Sequence, residues 1–162
     1  MMLAYKLVGL IEAHSEELAT GLLEKIQCSP LLPDYWRVPT EELKQRVSEI
    51  YRNLGDWLLG KPHEIKARYK EIGARRAAQH VPLCQLIWAI VLTKENLWEF
   101  LELETALDRP VDIYAELETL RLLDQFFDRA QYYAALGYGQ ARNKQHALTP
   151  LERDKPFEEI KE

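Results

Sequence analysis

The sequence predicts a single all-α domain, built as a bundle of about five helices. Apolar residues recur at spacings of three and four along most of the 162 residues, which is the periodicity of amphipathic helices. The 7 glycines and 8 prolines are too few for the many tight turns of a β fold. A chain of this length fits one domain. A globin-like arrangement is one form that such a bundle can take.

Prolines and capping residues separate the predicted helices. A proline-rich loop over residues 28–39 follows the first helix, and its apolar side chains predict that it packs onto the domain. The third helix has only a thin apolar stripe, which predicts a surface position. Gly137 and Gly139 predict a kink or an end in the last helix, because glycine weakens a helix interior. The five helices are predicted near residues 3–26, 40–60, 62–79, 82–104 and 110–141.

The last two helices carry apolar residues on more than one side. Residues 86–92 are apolar all round, which predicts a central helix with Trp88 in the core. The last helix has two apolar faces, and one of them is surplus to a monomer core. This surplus favours a homodimer, with cover by the proline-rich loop as the alternative. The surplus face consists of Leu122, Phe126, Tyr133 and Leu136.

Charge, cysteine content and apolar segments indicate which partners and which cellular location the sequence favours. The net charge of −5 disfavours nucleic acid as a partner, because binding it requires a basic face. Cys28 and Cys84 form no CxxC pair, which favours a reducing, cytoplasmic location. The N-terminal apolar stretch is interrupted too early for a secretory signal. The longest apolar run, residues 86–92, is far shorter than the roughly 20 residues of a membrane span.

The sequence contains no recognisable motif for catalysis or metal binding. A phosphate-binding loop, a GxSxG elbow and a glycine-rich dinucleotide turn are all missing, and the four histidines lack partners at zinc spacings. We therefore expect no enzyme, no catalytic residue, no metal site and no cofactor. One alternative is a helical carrier of haem or of a small apolar ligand, with His14 or His80 as the axial ligand. A hydrogen-bonded core histidine and a solvated histidine at a helix end are the simpler interpretations.

Two arginines and several aromatic residues are candidates for binding a ligand. Arg68, Arg75 and Arg76 lie close together around the third helix and can hold a phosphate or carboxylate. The alternative is a solvated face in which Glu71 pairs with Arg75. A further alternative is an enzyme that acts on a small phosphorylated molecule through Arg75 and Arg76. Asp128 lies among aromatic residues, which predicts an ion pair with Arg75 or Arg76. Core packing is the alternative for the aromatic residues. The candidate set is Arg75, Arg76, His80, Trp88, Asp128, Tyr132 and Tyr133.

Two segments resemble the RsbRD N-terminal domain family. The first is RYKEIGARRAAQHVPL at residues 68–83, followed by Trp88 and Trp98, and the second is LLDQFFDRAQYY at residues 122–133, followed by Gly137-Tyr138. The family is regarded as the sensory or regulatory domain of co-antagonists in the bacterial stressosome. The resemblance therefore implies a non-enzymatic domain for signal transduction in the stress response, acting through contacts with a signalling protein.

The chain divides into two parts on these grounds. Residues 1–145 are expected to form the helical, sensor-like domain. Residues 146–162 are charged and contain two prolines, which predicts a loosely ordered tail.

Overall fold

The computed structural model describes residues 2–59, 62–104 and 110–147, and every regular element in those ranges is a helix. The prediction of a single all-α domain is confirmed. The predicted tail lies almost entirely outside the described residues, since only residues 146 and 147 belong to the last helix. The helices are α1 (Met2–Ala13), α2 (Ser15–Cys28), α3 (Thr40–Arg52), α4 (Leu54–Leu59), α5 (Pro62–Ala78), α6 (Leu83–Glu104) and α7 (Pro110–Ala147).

In the described ranges, seven α-helices replace the predicted five because two of the predicted helices are broken. The break between α1 and α2 lies at His14, with φ −107° and ψ 21°, and the break between α3 and α4 lies at Asn53, with φ −102° and ψ 9°. At each break the side chain donates to a carbonyl one turn earlier. His14 Nδ1 lies 2.8 Å from the Leu10 oxygen, and Asn53 Nδ2 lies 2.9 Å from the Glu49 oxygen. These side chains compete with the helical backbone for its acceptors, which ends the first helix of each pair.

The proline-rich loop packs onto the domain, as predicted. It forms a short 3₁₀-helix, Pro33–Arg37, and its Leu32, Tyr35 and Val38 side chains are buried. Two hydrogen bonds tie it to α6. The Asp34 amide donates to Gln85 Oε1 at 3.0 Å, and Gln85 Nε2 donates to Asp34 Oδ2 at 2.5 Å. The loop therefore forms one wall of the bundle.

α5 and α7 make the most extensive contact between any two described helices. They run parallel, because Tyr69 lies against Phe126 and Gly73 lies further along α5 against Ala134. A Cβ at Gly73 would overlap the Ala134 carbonyl oxygen and lie 2.9 Å from Tyr138 N. The prediction of a surface position for α5 is therefore wrong: small residues, rather than a wide apolar stripe, allow the two backbones to touch.

The predicted kink at Gly137 and Gly139 is also wrong, since α7 continues unbroken to Ala147. A Cβ at Gly137 would overlap the Lys70 carbonyl oxygen, so this glycine allows the helices to approach closely. The next residue, Tyr138, donates from its hydroxyl to the Val81 oxygen at 2.7 Å. Tertiary contacts thus outweigh the helix-weakening tendency of glycine.

Two expectations for the central helices need correction. Trp88 is only half-buried on α6, so it is not a core residue. Phe126, assigned above to a surplus face of α7, is 3% exposed. The Trp57 ring stacks on it at 5.9 Å and the Tyr69 ring meets it edge-on at 5.8 Å. α4 and α5 therefore cover Phe126, whereas the predictions were a second protomer or the proline-rich loop.

Replacing Gly137 with alanine should destabilise the protein by about 2 kcal/mol, the scale of overpacking a well-filled core. Gly139→Ala is the matched control, because nothing lies within 4 Å of a Cβ built there. In an α-helix this control should be neutral or stabilising by up to about 1 kcal/mol. Urea denaturation of both variants measures the difference. Equal stability of the two variants would contradict the close contact of α5 with α7.

Candidate ligand-binding site

A small cavity of about 50 Å³ lies between α2, α3, α5, α6 and the proline-rich loop. Aliphatic side chains form most of its wall. They come from three helices: Leu22 and Ile26 on α2, Leu43 and Val47 on α3, and Leu86 and Ile90 on α6. The cavity is therefore a mainly apolar, partly open space between the first half of the bundle and α6.

One face of α5 brings polar groups to this apolar space. Tyr69, Ile72 and Arg76 lie at spacings of three and four, which places them on one side of the helix, and all three line the cavity. The loop adds Tyr35, and the Arg76 guanidinium lies 5.7 Å from the centre of the Tyr35 ring. Burial raises the pKa of Tyr35 to about 12, although the charge and hydrogen bonding of Arg76 act in the opposite direction. Burial also raises the pKa of Tyr69. Both phenols stay protonated at neutral pH.

Two arginines line the cavity, Arg46 and Arg76, and Arg76 is only 3% exposed. Its Nη1 donates to Gln79 Oε1 at 2.7 Å and to Glu42 Oε1 at 3.3 Å. Its Nε is buried and has no hydrogen-bond partner among the described residues. A buried donor left without an acceptor costs about 1–3 kcal/mol, so this atom is a natural place for a ligand oxygen.

Glu42, in the first turn of α3, serves two arginines at once. Its Oε1 lies 2.5 Å from Arg75 Nε and 3.3 Å from Arg76 Nη1. Burial alone would raise the pKa of this carboxyl, but the hydrogen bonds and charges of Arg75 and Arg76 outweigh burial and lower it. Two cations thus share one carboxylate, which leaves one positive charge in excess beside the cavity.

The predicted ion pair between Asp128 and Arg75 or Arg76 is wrong. Both arginines reach toward Glu42 on α3, whereas Gly73 and Ala77 occupy the part of α5 that faces α7. Asp128 is exposed on α7. The alternative pair of Glu71 with Arg75 does not form either, since Glu71 lies 3.3 Å from Arg46.

The structure separates the other candidate residues from the cavity. His80 caps the end of α5 in a left-handed conformation, φ 58°, where its amide donates to the Ala77 oxygen. Trp88 is half-buried on α6, Tyr132 is exposed, and the Tyr132 and Tyr133 rings meet at 5.6 Å. Of the seven candidates, Arg76 alone lines the cavity.

Three residues of the site were missed by the sequence analysis. Tyr69 shares a helical face with Arg76 at a spacing of seven, so its role was detectable. From the sequence, Glu42 is interpreted as an acidic residue in the first turn of α3, where its charge favours the helix dipole. Only the structure shows that it pairs with Arg75 and Arg76. Tyr35 lies in a loop with no periodicity to interpret.

The histidines proposed as axial ligands have other roles. His14 donates from Nδ1 to the Leu10 oxygen, and its ring lies 5.3 Å from the Phe100 ring. Neither His14 nor His80 lines the cavity. Within residues 2–59, 62–104 and 110–147, no three His, Cys, Asp or Glu side chains are grouped to hold a metal ion. None of the described helices is long and apolar enough to cross a membrane.

The described residues thus form a bundle of α-helices with a small, partly open cavity beside Arg76. The family model for the RsbT co-antagonist protein rsbRD N-terminal domain matches residues 15–150. The chain belongs to this family, and the stressosome-type regulatory role of the family is its functional class. No curated protein and no solved structure gives a significant match.

Replacing Glu42 with glutamine should cost about 3 kcal/mol of folding free energy, because it leaves the buried Arg76 guanidinium without a counter-charge. Glu71→Gln is the control, since Glu71 is an exposed partner of Arg46 and should lose less than about 1 kcal/mol. Guanidinium denaturation of both variants tests this. Equal losses would mean that the Glu42 cluster is no stronger than a solvated surface pair.

The same carboxyl predicts a pH dependence. The folded-state pKa of Glu42 lies below its ordinary value of 4.5, so its contribution to stability is present above that value and is lost as the pH falls through the folded pKa. The difference in unfolding free energy between the wild type and Glu42→Gln should be constant above about pH 5 and shrink below about pH 4.5. A difference that stays constant down to about pH 3 would contradict the lowered pKa.

Proposed function

We propose that this domain is a non-enzymatic regulator that transmits a signal through protein contacts, and that a small ligand in the cavity controls those contacts. The match of residues 15–150 to a family of stressosome regulatory domains carries this proposal. The buried Arg76, with an open Nε beside an apolar cavity, supports the ligand step. The exposed, unpaired Cys28 and Cys84 support a reducing, cytoplasmic setting.

The second part of the proposal is a homodimer through the outer face of α7. This helix has 38 residues and is therefore about 57 Å long, far longer than the helices it packs on. Leu117 and Tyr132 are 54% and 63% exposed on it, and Arg121 and Asp128 lie exposed between them. Spacings of four, seven and four residues place all four on one face.

A second copy of this chain is the occupant that this face fits. An antiparallel, two-fold pairing of α7 centred between residues 124 and 125 places Leu117 opposite Tyr132 and Arg121 opposite Asp128. The two-fold axis repeats each pair, so the contact gains two apolar pairs and two ion pairs of opposite charge. Asp128 and Tyr132, first singled out as ligand residues, take the role of interface residues, and Tyr133 lies beside them half-buried.

Charge reversal tests this interface. Arg121→Asp places aspartates opposite each other and Asp128→Arg places arginines opposite each other, so each variant alone should sediment as a 19.0 kDa monomer. An equimolar mixture should form a heterodimer, because the aspartates of one variant then face the arginines of the other in both pairs. Gln140→Asp, at an exposed position of α7, is the control and should remain dimeric.

Sedimentation equilibrium at tens of micromolar gives a clear decision. Wild-type protein that stays at 19.0 kDa contradicts the dimer. Single variants that remain dimeric, or a mixture that stays monomeric, contradict this register of α7. Circular dichroism identifies a misfolded variant. A misfolded variant would also form no heterodimer when the two variants are mixed.

A further inference from the structure

The cavity and its arginine also indicate what kind of ligand the domain takes, an inference that rests on the ligand step proposed above. The cavity volume of about 50 Å³ is small. A single water needs roughly 10–15 Å³ by the same measure, so the space admits roughly four or five non-hydrogen atoms.

The charge beside the cavity calls for an anion. Arg75 and Arg76 together carry two positive charges, and Glu42 supplies one negative charge. The neighbouring cluster is already balanced, because Arg46 and Arg68 are paired with Glu49 and Glu71. A ligand with one negative charge would neutralise the one positive charge that Glu42 leaves unbalanced.

The wall of the cavity restricts the anion further. Aliphatic side chains of α2, α3 and α6 surround most of the space, so a compact, fully hydrated ion such as phosphate would lose its water without enough replacement contacts. An anion with an alkyl group fits both parts of the cavity. The alkyl group contacts the aliphatic wall, and the charged end reaches Arg76. The protonated phenols of Tyr35 and Tyr69 line the same space.

We propose that the cavity binds a short-chain monocarboxylate of roughly two or three carbons. One carboxylate oxygen accepts a hydrogen bond from Arg76 Nε, the buried donor that has no partner among the described residues. The alkyl group lies against Leu22, Leu86 and Ala89. Arg76 is thus the residue that selects a carboxylate over a neutral molecule of the same shape.

Propionate is the probe, and the full ¹⁵N-labelled chain is the sample. Propionate should shift the Arg76 Nε–Hε resonance in a ¹H–¹⁵N correlation spectrum and give a saturable isotherm in calorimetry. Propionamide and propanol have the same shape without the charge, and should bind at least tenfold more weakly.

Two substitutions locate the site, and a third serves as control. Arg76→Lys keeps the charge but removes Nε, and should weaken propionate at least tenfold. Ala89→Val should also weaken it at least tenfold, because the added methyl groups enter the cavity. Arg75→Lys, at a residue outside the cavity wall, should change the affinity by less than threefold. Ala89→Val keeps the test informative if Arg76→Lys fails to fold.

Three results would overturn the inference. Equal binding of propanol would make the cavity an apolar site only, and equal binding of chloride or phosphate would make Arg76 a general anion site. No shift of Arg76 Nε with propionate at tens of millimolar would mean that water fills the cavity. None of these results bears on the α7 dimer, which the mixing experiment tests separately, so the two proposals can fail independently.

Discussion

The contact of α5 with α7 at Gly73 and Gly137 is the constraint on which the rest of the fold depends. A methyl group at either position would overlap a backbone oxygen of the opposite helix. At this separation Phe126 is buried between Trp57 and Tyr69, and Tyr138 reaches the carbonyl of Val81 beyond the end of α5. The long α7 thus holds both ends of α5 in place.

The position of α5 in turn determines the cavity. One face of α5 packs on α7, and a different face brings Tyr69, Ile72 and Arg76 to the apolar space. Burying Arg76 is tolerated because Glu42 provides a nearby charge and Gln79 a further acceptor. The remaining open donor is a cost to the free domain that a ligand with an oxygen acceptor would remove.

The sequence predicted the fold class and the bounds of α5 and α6 to within one or two residues, because Pro62 and Pro82 mark where the two helices begin. It did not predict the breaks at His14 and Asn53, since the apolar stripes continue in phase across both. Gly137 was misinterpreted because helix propensity describes an isolated helix, whereas here a second backbone lies against the glycine.

The candidate site was only partly predictable for a related reason. Arg76 stood out as a basic residue in the segment that resembles the RsbRD family, and the structure places it at the cavity. Its counter-ion Glu42 is 34 residues away in sequence, and nothing local reveals the pairing. Asp128 and Tyr132 were grouped with it because a carboxylate among aromatic residues predicted an ion pair with Arg75 or Arg76, yet they belong to the outer surface of α7.

One helix pair connects the cavity with the proposed interface, because α5 carries the cavity residue Arg76 and α7 carries the interface residues. A ligand that favours one arrangement of this pair must change dimer affinity, and by linkage the dimer must change ligand affinity by the same factor. Sedimentation equilibrium of the wild type with and without saturating propionate measures this coupling directly. We predict a change in the dimer dissociation constant of about fivefold or more, abolished by Arg76→Lys. An unchanged dissociation constant while propionate is demonstrably bound would contradict the coupling.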